Sequence, residues 1–371
     1  MSSAALRGIS LAVPSTIRSN EDLARNYPQT YQKILDRGSQ GAHSSANAGW
    51  YREMGPYMSD PFRGAVRRHV LAGQETSLDV QHKAAMSCLE AADCGLDDID
   101  LMIVSATVQS QPGAGDAAYL AERIGLRRPA INIESMCSGA LVSLKIADAL
   151  IVTGQHERVL IVASCNYSSI ADPADAFAWT MGDAVGAMLV TPAETSDEGI
   201  RAVHVVDTLA TNNTFYCDHE IRADGSPGVR MRANRRLKNP RPVGDVEYAD
   251  LAQVQEGFIL ESTAHALKRA GKSLSDVDFL VVNTPMAWYA DFACRVLGID
   301  RSRCIDVFPE LGNVGVALPV AGAVRAAAQG RIATGDTVLF FSTGSVSTAV
   351  AAVVEWGQVA VADNSAAAGA M

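Results

Sequence analysis

The sequence predicts an α/β fold built from two homologous halves, and two matched pairs of segments carry that expectation. The first pair is 94–107 (Cys-Gly-Leu-Asp-Asp-Ile-Asp-Leu-Met-Ile-Val-Ser-Ala-Thr) and 271–284 (Gly-Lys-Ser-Leu-Ser-Asp-Val-Asp-Phe-Leu-Val-Val-Asn-Thr). Each reads as a helix end, a turn and a buried strand. The second pair is 154–164 and 334–343, each a turn feeding a short apolar strand. Their order and spacing are kept, so the halves meet near residues 190–200 and the chain divides into 1–195 and 196–371. Continuous apolar strands between helices imply sheets covered on both faces. A doubly wound sheet without duplication is the alternative.

The remaining elements follow in order. The helix before the first strand shows Met86, Leu89 and Ala92 at helical spacing; its counterpart shows Leu260, Ala264 and Leu267. A short strand is expected at 130–133. Alanine-rich helices are expected at 139–152 and 315–331. Segment 26–58, with Tyr27, Tyr31, Trp50, Tyr51 and Tyr57, reads as an insertion that lines a pocket or serves a dimer contact. The tail, 362–371, is small and polar and is expected to fray.

Composition narrows the function. Of 371 residues, 48% are hydrophobic and 19% charged, which excludes a disordered chain and allows a large core. No apolar run nears the ~18 residues of a membrane helix, and residues 1–15 do not read as a secretory signal. The expected location is cytoplasmic, with no membrane partner. A net charge of -10 argues against a dedicated nucleic-acid binder. The seven cysteines are odd in number and form no CxxC, so neither a disulfide framework nor a metal site is expected. No motif for a tightly bound cofactor is present.

One cysteine stands apart. Cys137 lies in Asn132-Ile-Glu-Ser-Met-Cys-Ser-Gly-Ala-Leu141, where a short strand runs through a tight turn into a helix. A helix N-terminus offers unpaired N–H groups and the positive end of the dipole, both of which favour a thiolate. On these features alone a nucleophile and a buried structural cysteine both fit.

Four blocks decide between them: Met136–Asp148, Asp172-Pro173 with Thr180–Ala187, Gly64–Val70 with Glu75-Thr76, and Leu311–Gly315. Through them the chain resembles the thiolase superfamily, and within it the β-ketoacyl-acyl-carrier-protein synthase III group, over nearly its whole length. Met136-Cys-Ser-Gly-Ala-Leu-Val-Ser-Leu-Lys-Ile-Ala-Asp148 is similar to that family's nucleophile helix. Asp172-Pro173 with Thr180-Met-Gly-Asp-Ala-Val-Gly-Ala187 is similar to its DP…GDGAGA segment. Gly64-Ala-Val-Arg-Arg-His-Val70 with Glu75-Thr76 resembles its GIRERH…ET segment, and Leu311-Gly-Asn-Val-Gly315 its HGN motif. The resemblance implies a thiolase-like five-layer αβαβα sandwich and a homodimer. It implies that Cys137 takes an acyl group as a thioester from coenzyme A or a phosphopantetheine arm, so acyl-CoA or an acyl carrier protein is the expected partner.

One departure bears on mechanism. The family carries a histidine at the end of the first strand of the second half, and counting back from Leu297-Gly298 that position here holds Asn283. The family's asparagine is kept as Asn313. The implied site is therefore Cys137, Asn283 and Asn313. Asparagine donates hydrogen bonds but carries no proton near neutral pH, so general base catalysis must come from elsewhere. Glu134 is a candidate base or pocket wall, with a carboxylate tied to backbone N–H groups as the alternative. His219, in an apparent insertion, is a candidate base or a surface histidine. By resemblance, the backbone N–H of Ser345, in a turn after the last long strand, joins that of Cys137 in an oxyanion hole. The basic run 230–241, with Arg235 and Arg236, suits an anionic donor or is a solvated loop; Arg63 is a further phosphate candidate.

The expected function is an acyltransferase that passes an acyl group from Cys137 to an acceptor in a specialised pathway of the polyketide or antibiotic type. Decarboxylative condensation and a non-catalytic subunit of a heterodimer are the rivals.

Overall fold

The computed structural model describes residues 3–40, 50–111, 113–212, 214–221, 227–233, 251–344 and 346–365. The first half runs β1 (Ala4–Ala12), β2 (Thr16–Ser19), α1 (Asn20–Asn26), α2 (Pro28–Gln40), α3 (Tyr51–Met54) and β3 (Arg67–Val70). It continues through α4 (Ser77–Ala91), β4 (Leu101–Ala106), α5 (Ala117–Ile124), β5 (Ala130–Asn132), α6 (Gly139–Val152), β6 (Val159–Asn166) and β7 (Asp183–Pro192). The second half runs β8 (Gly199–Asp207), β9 (Phe215–Ile221), β10 (Pro227–Ala233), α7 (Leu251–Ala270), β11 (Phe279–Val282) and α8 (Tyr289–Leu297). It ends with α9 (Phe308–Leu311), α10 (Leu318–Ala328), β12 (Thr337–Thr343), β13 (Thr348–Glu355) and β14 (Ala360–Asp363).

Two sheets repeat one topology. In the first, β1–β7 and β7–β6 pair antiparallel and β6–β4 parallel. In the second, β8–β13 and β13–β12 pair antiparallel and β12–β11 parallel. The outer antiparallel pair carries a register shift in each: between Leu6 and Gly8, and between Val353 and Val354. Strands β4, β6, β11 and β12 are buried along their whole length, as sheets covered on both faces require.

Helices fill the layers accordingly. α6 and α10 lie between the sheets, α4 and α5 cover the first sheet from outside, and α7 and α8 cover the second. The apolar core follows the same division, with one cluster between the sheets and one beneath each outer helix pair. The result is the five-layer α/β sandwich, with both inner helices beginning near the middle of the molecule.

The last strand, β14, crosses back and pairs in parallel with β1. This gives β1 a neighbour on its open side. One expectation needs correction: the apolar stripe assigned to α7 is displaced. Leu260 and Ala264 are exposed, and the buried face presents Ile259, Ser262, Thr263, Ala266 and Leu267. Ser262 and Thr263 tolerate burial because their hydroxyls donate back to the carbonyls of Phe258 and Ile259, each at 2.6 Å.

Candidate active site

Cys137 sits in a one-turn 3₁₀ segment, Met136–Ser138, that opens into α6. The turn is tight enough to place Met136 at φ 48, a left-handed conformation that costs a residue with a side chain on the order of 1–3 kcal/mol. Glu134 holds it there: its carboxylate accepts from the Met136 N–H at 2.7 Å. Gly139 lets the helix start press against β4, since a Cβ there would lie 2.0 Å from Ser105 Oγ.

The second half closes over this turn. Gly344 approaches so closely that a Cβ would meet the Ser135 carbonyl at 2.7 Å. A hydroxyl cluster joins the halves: Ser135 Oγ lies 2.9 Å from Ser347 Oγ and 2.8 Å from Thr348 Oγ1, and Ser138 Oγ lies 2.7 Å from Thr348 Oγ1. Ser342 donates to the Cys137 carbonyl at 2.7 Å.

The thiol faces a cavity of about 410 Å³ lined by Cys137, Asn283 and Asn313. Asn283 follows β11 directly and is 2% exposed. Its Oδ1 accepts from the Thr343 N–H at 3.1 Å. Asn313 precedes α10, and its Oδ1 accepts from the Gly315 N–H at 2.9 Å. A backbone N–H can only donate, so each bond fixes which end of the carboxamide is the oxygen and leaves the NH₂ on the other side of the group as a donor. Two neutral donors beside a sulfur suit a carbonyl oxygen that gains charge. The Asn313 backbone bonds to the Thr180 carbonyl at 2.7 Å, bringing together the two motifs that contain these residues.

The thiol itself differs from expectation. Burial pushes Cys137 up to about 11; the Tyr167 hydroxyl and the residue's own N–H pull it down, and the Glu134 carboxylate adds to the rise. The dipole argument weighed the helix end and left out the apolar wall, so the resting group is a thiol. Tyr167 Oη lies 3.6 Å from Cys137 Sγ. Burial and the neighbouring thiols raise this phenol well above its ordinary value, so it stays protonated and can donate to the sulfur when charge develops there. Tyr167 went unnoticed in the sequence. The signal available was its place immediately after the carboxyl end of β6, where ligands gather in open α/β sheets.

Other candidates fall away from the cavity. Glu134 is tied to the Met136 N–H, as its alternative reading expected, and burial raises its carboxyl above the usual range. It faces a second cavity, of about 470 Å³, shared with Met136 and Cys217. His219 is exposed on β9 and lines neither cavity. Arg63 braces its own loop, donating to the carbonyls of Tyr57 and Met58 at 2.8 and 2.6 Å. Arg230, the one arginine of the basic run whose side chain is described, is held by Glu220 and Asp172. Arg235, Arg236 and Ser345 lie outside the described residues. Of the insertion, Trp50 reaches the cavity and stacks on Trp288 with centroids 5.2 Å apart. Among the described residues no cluster of His, Cys, Asp and Glu fits a metal ion, and no helix is long and apolar enough to cross a membrane.

Comparison with known proteins points one way. Residues 131–208 match the model of 3-oxoacyl-[acyl-carrier-protein] synthase III, and residues 267–356 match its C-terminal counterpart. A β-ketoacyl-[acyl-carrier-protein] synthase III of Rhodospirillum centenum is 25% identical over 94% of this chain and 98% of its own length. Among solved structures, the synthase III of Thermus thermophilus aligns with a TM-score of 0.75 at 24% identity, covering 95% of this chain and 99% of the other. A variant of Xanthomonas campestris OleA with bound lauric acid and lauroyl-CoA aligns with a TM-score of 0.74 at 16% identity, covering 95% and 99%. The two structural likenesses speak for the fold.

Proposed function

We propose that the chain is a synthase III-like acyltransferase of the thiolase superfamily that carries its acyl group on Cys137, a reading supported by the two family models it matches and by its full-length likeness to a synthase III relative. The observation that supports this reading is the sulfur at the cavity wall beside two carboxamides whose oxygens are already bound. The thiol of Cys137 attacks the carbonyl of an acyl thioester, delivered by coenzyme A or an acyl carrier protein. Asn283, standing in for the family's histidine, and Asn313 donate to the oxygen as it gains charge. The donor's thiolate leaves and is protonated, and the acyl group remains on Cys137.

The cavity wall described here holds no imidazole, amine or carboxylate. In the second step the acceptor therefore arrives as a thiol or brings its own base. Transfer to a thiol or to an activated nucleophile in a specialised biosynthetic pathway is the reading that suits such a wall. Decarboxylative condensation is the second reading, favoured by the β-ketoacyl synthases among the relatives; there the same two donors would hold an enolate. A homodimer remains part of the proposal, and a non-catalytic role is disfavoured by a thiol kept at a cavity.

The test is intact-protein mass spectrometry after incubation with a panel of acyl-CoA and acyl-carrier donors. An adduct mapped to Cys137 is expected, and its absence with every donor would reject the transfer reading. Carbon dioxide release in step with product would select condensation instead.

A further inference from the structure

The two carboxamides of the site are oriented by different means. Asn313 takes its orienting N–H from Gly315, two residues along its own turn. Asn283 takes its own from Thr343, 60 residues away at the end of β12. The backbone pairing is running out at this point. Val282 is the last residue of β11 to pair with β12, and the Asn283 N–H adds one more bond, to the Phe341 carbonyl at 3.0 Å. The Asn283 side-chain oxygen then accepts the Thr343 N–H at 3.1 Å, in the place a strand carbonyl would take. A carboxamide keeps nearly the same shape with its oxygen and NH₂ exchanged, so a donor here decides which of them faces the cavity. The Thr343 hydroxyl meets the phenol of Tyr289, the first residue of α8, and neither has another hydrogen-bond partner among the described residues. Tyr289 is 1% exposed and Thr343 6%, so the pair is enclosed within the wall. The Tyr289 ring packs on Trp288 and Phe292, with centroids 5.6 and 5.8 Å away. Burial holds the phenol well above its ordinary value, so it stays protonated.

Resting on the acyl-transfer reading of this same site, we propose that Tyr289 is a positioning residue: through the Thr343 hydroxyl it fixes the end of β12, whose N–H turns the Asn283 NH₂ toward the carbonyl of the donor. The phenol oxygen is spent inside the wall, so its effect reaches the reaction by way of Asn283. Removing it loosens the strand end, and a carboxamide free to exchange its two ends presents oxygen to an oxygen that is gaining charge. The developing oxyanion then loses a donor and meets a lone pair. A resting thioester carbonyl carries little charge and depends on this far less, so the loss falls on kcat rather than KM. Asn313 is the internal control, because its orienting N–H belongs to its own turn.

The test asks whether Tyr289 acts through Asn283. Tyr289→Phe deletes one oxygen and should lower kcat for acylation of Cys137 about tenfold, with KM for the donor within about twofold. Thr343→Val should do the same, and Thr343→Ser, which keeps the hydroxyl, should retain the wild-type kcat. In Asn283→Ala protein no carboxamide is left to orient, so adding Tyr289→Phe should change kcat by less than about twofold. An unchanged kcat in Tyr289→Phe, equal losses in both backgrounds, or a loss confined to KM would overturn the proposal. A spectroscopic arm needs no turnover. In protein labelled with ¹⁵N-asparagine, the NH₂ signal that disappears in Asn283→Ala should shift or broaden in Tyr289→Phe, while the one that disappears in Asn313→Ala stays in place. An unmoved Asn283 signal would also overturn the proposal. A responsive signal in protein that no donor acylates would reject acyl transfer and leave the positioning role standing.

Discussion

Helices α6 and α10 occupy equivalent places in the two halves, yet their first turns present opposite kinds of group. The turn into α6 presents a sulfur, Cys137, from a left-handed bend; the turn into α10 follows Asn313, a carboxamide with its oxygen fixed. The strand ends diverge in the same way. β11 leads into Asn283 where the matched position at the end of β4 is Ala106, and β12 ends at Thr343 whereas β6 leads into Tyr167. In the proposed transfer, one half would supply the electron pair and the other the donors that receive the displaced charge. Duplication built a symmetric frame around a point, and substitution at a few strand and helix ends made that point asymmetric.

The largest expected effect tests the donor half. Asn283→Ala and Asn313→Ala should each lower kcat for acylation by about 10²–10³-fold, with Cys137 still alkylated by iodoacetamide. If either substitution left kcat unchanged, that carboxamide would not face the reacting carbonyl. Next comes the nucleophile half. With the thiol pushed up to about 11, the ionised fraction is small at neutral pH and grows about tenfold per pH unit below that value. The rate of acylation at limiting donor should therefore climb through pH 7–9 rather than level off. Tyr167→Phe removes a group that lowers the thiol, so it should slow the reaction several-fold and move the profile to higher pH. A plateau near neutrality would mean that something else ionises the sulfur. The smallest effect concerns the outer layers. Leu267→Ala on α7 should cost about 2–5 kcal/mol in denaturant titration. Leu260→Ala should stay within about 0.5 kcal/mol. The reverse ranking would restore the apolar stripe read from sequence.

Much of the frame was legible because it rests on strong local patterns. Segments 94–107 and 271–284 became matching strands β4 and β11, and the alanine-rich stretch became α6 over 139–152. The face of α7 was misread because Ser262 and Thr263 satisfy their hydroxyls on their own helix, which no hydropathy pattern displays. At the site, Cys137, Asn283 and Asn313 were found from motifs, and the structure gathers all three on one cavity. Tyr167, Thr343 and Tyr289 were not found. They come from separate elements and meet only when both sheets close on the inner helices. The protonation of the thiol was misjudged for a related reason, since a helix end can be read from sequence and an apolar wall cannot.

The hydroxyl seam of Ser135, Ser138, Ser347 and Thr348 has a consequence for how the molecule can be taken apart. The bend that aims the sulfur is clamped from the opposite repeat, so neither repeat can hold a working centre by itself. Two fragments expressed separately would have to reassemble across that seam before either regained reactivity, which makes the nucleophile a reporter of whole-chain assembly.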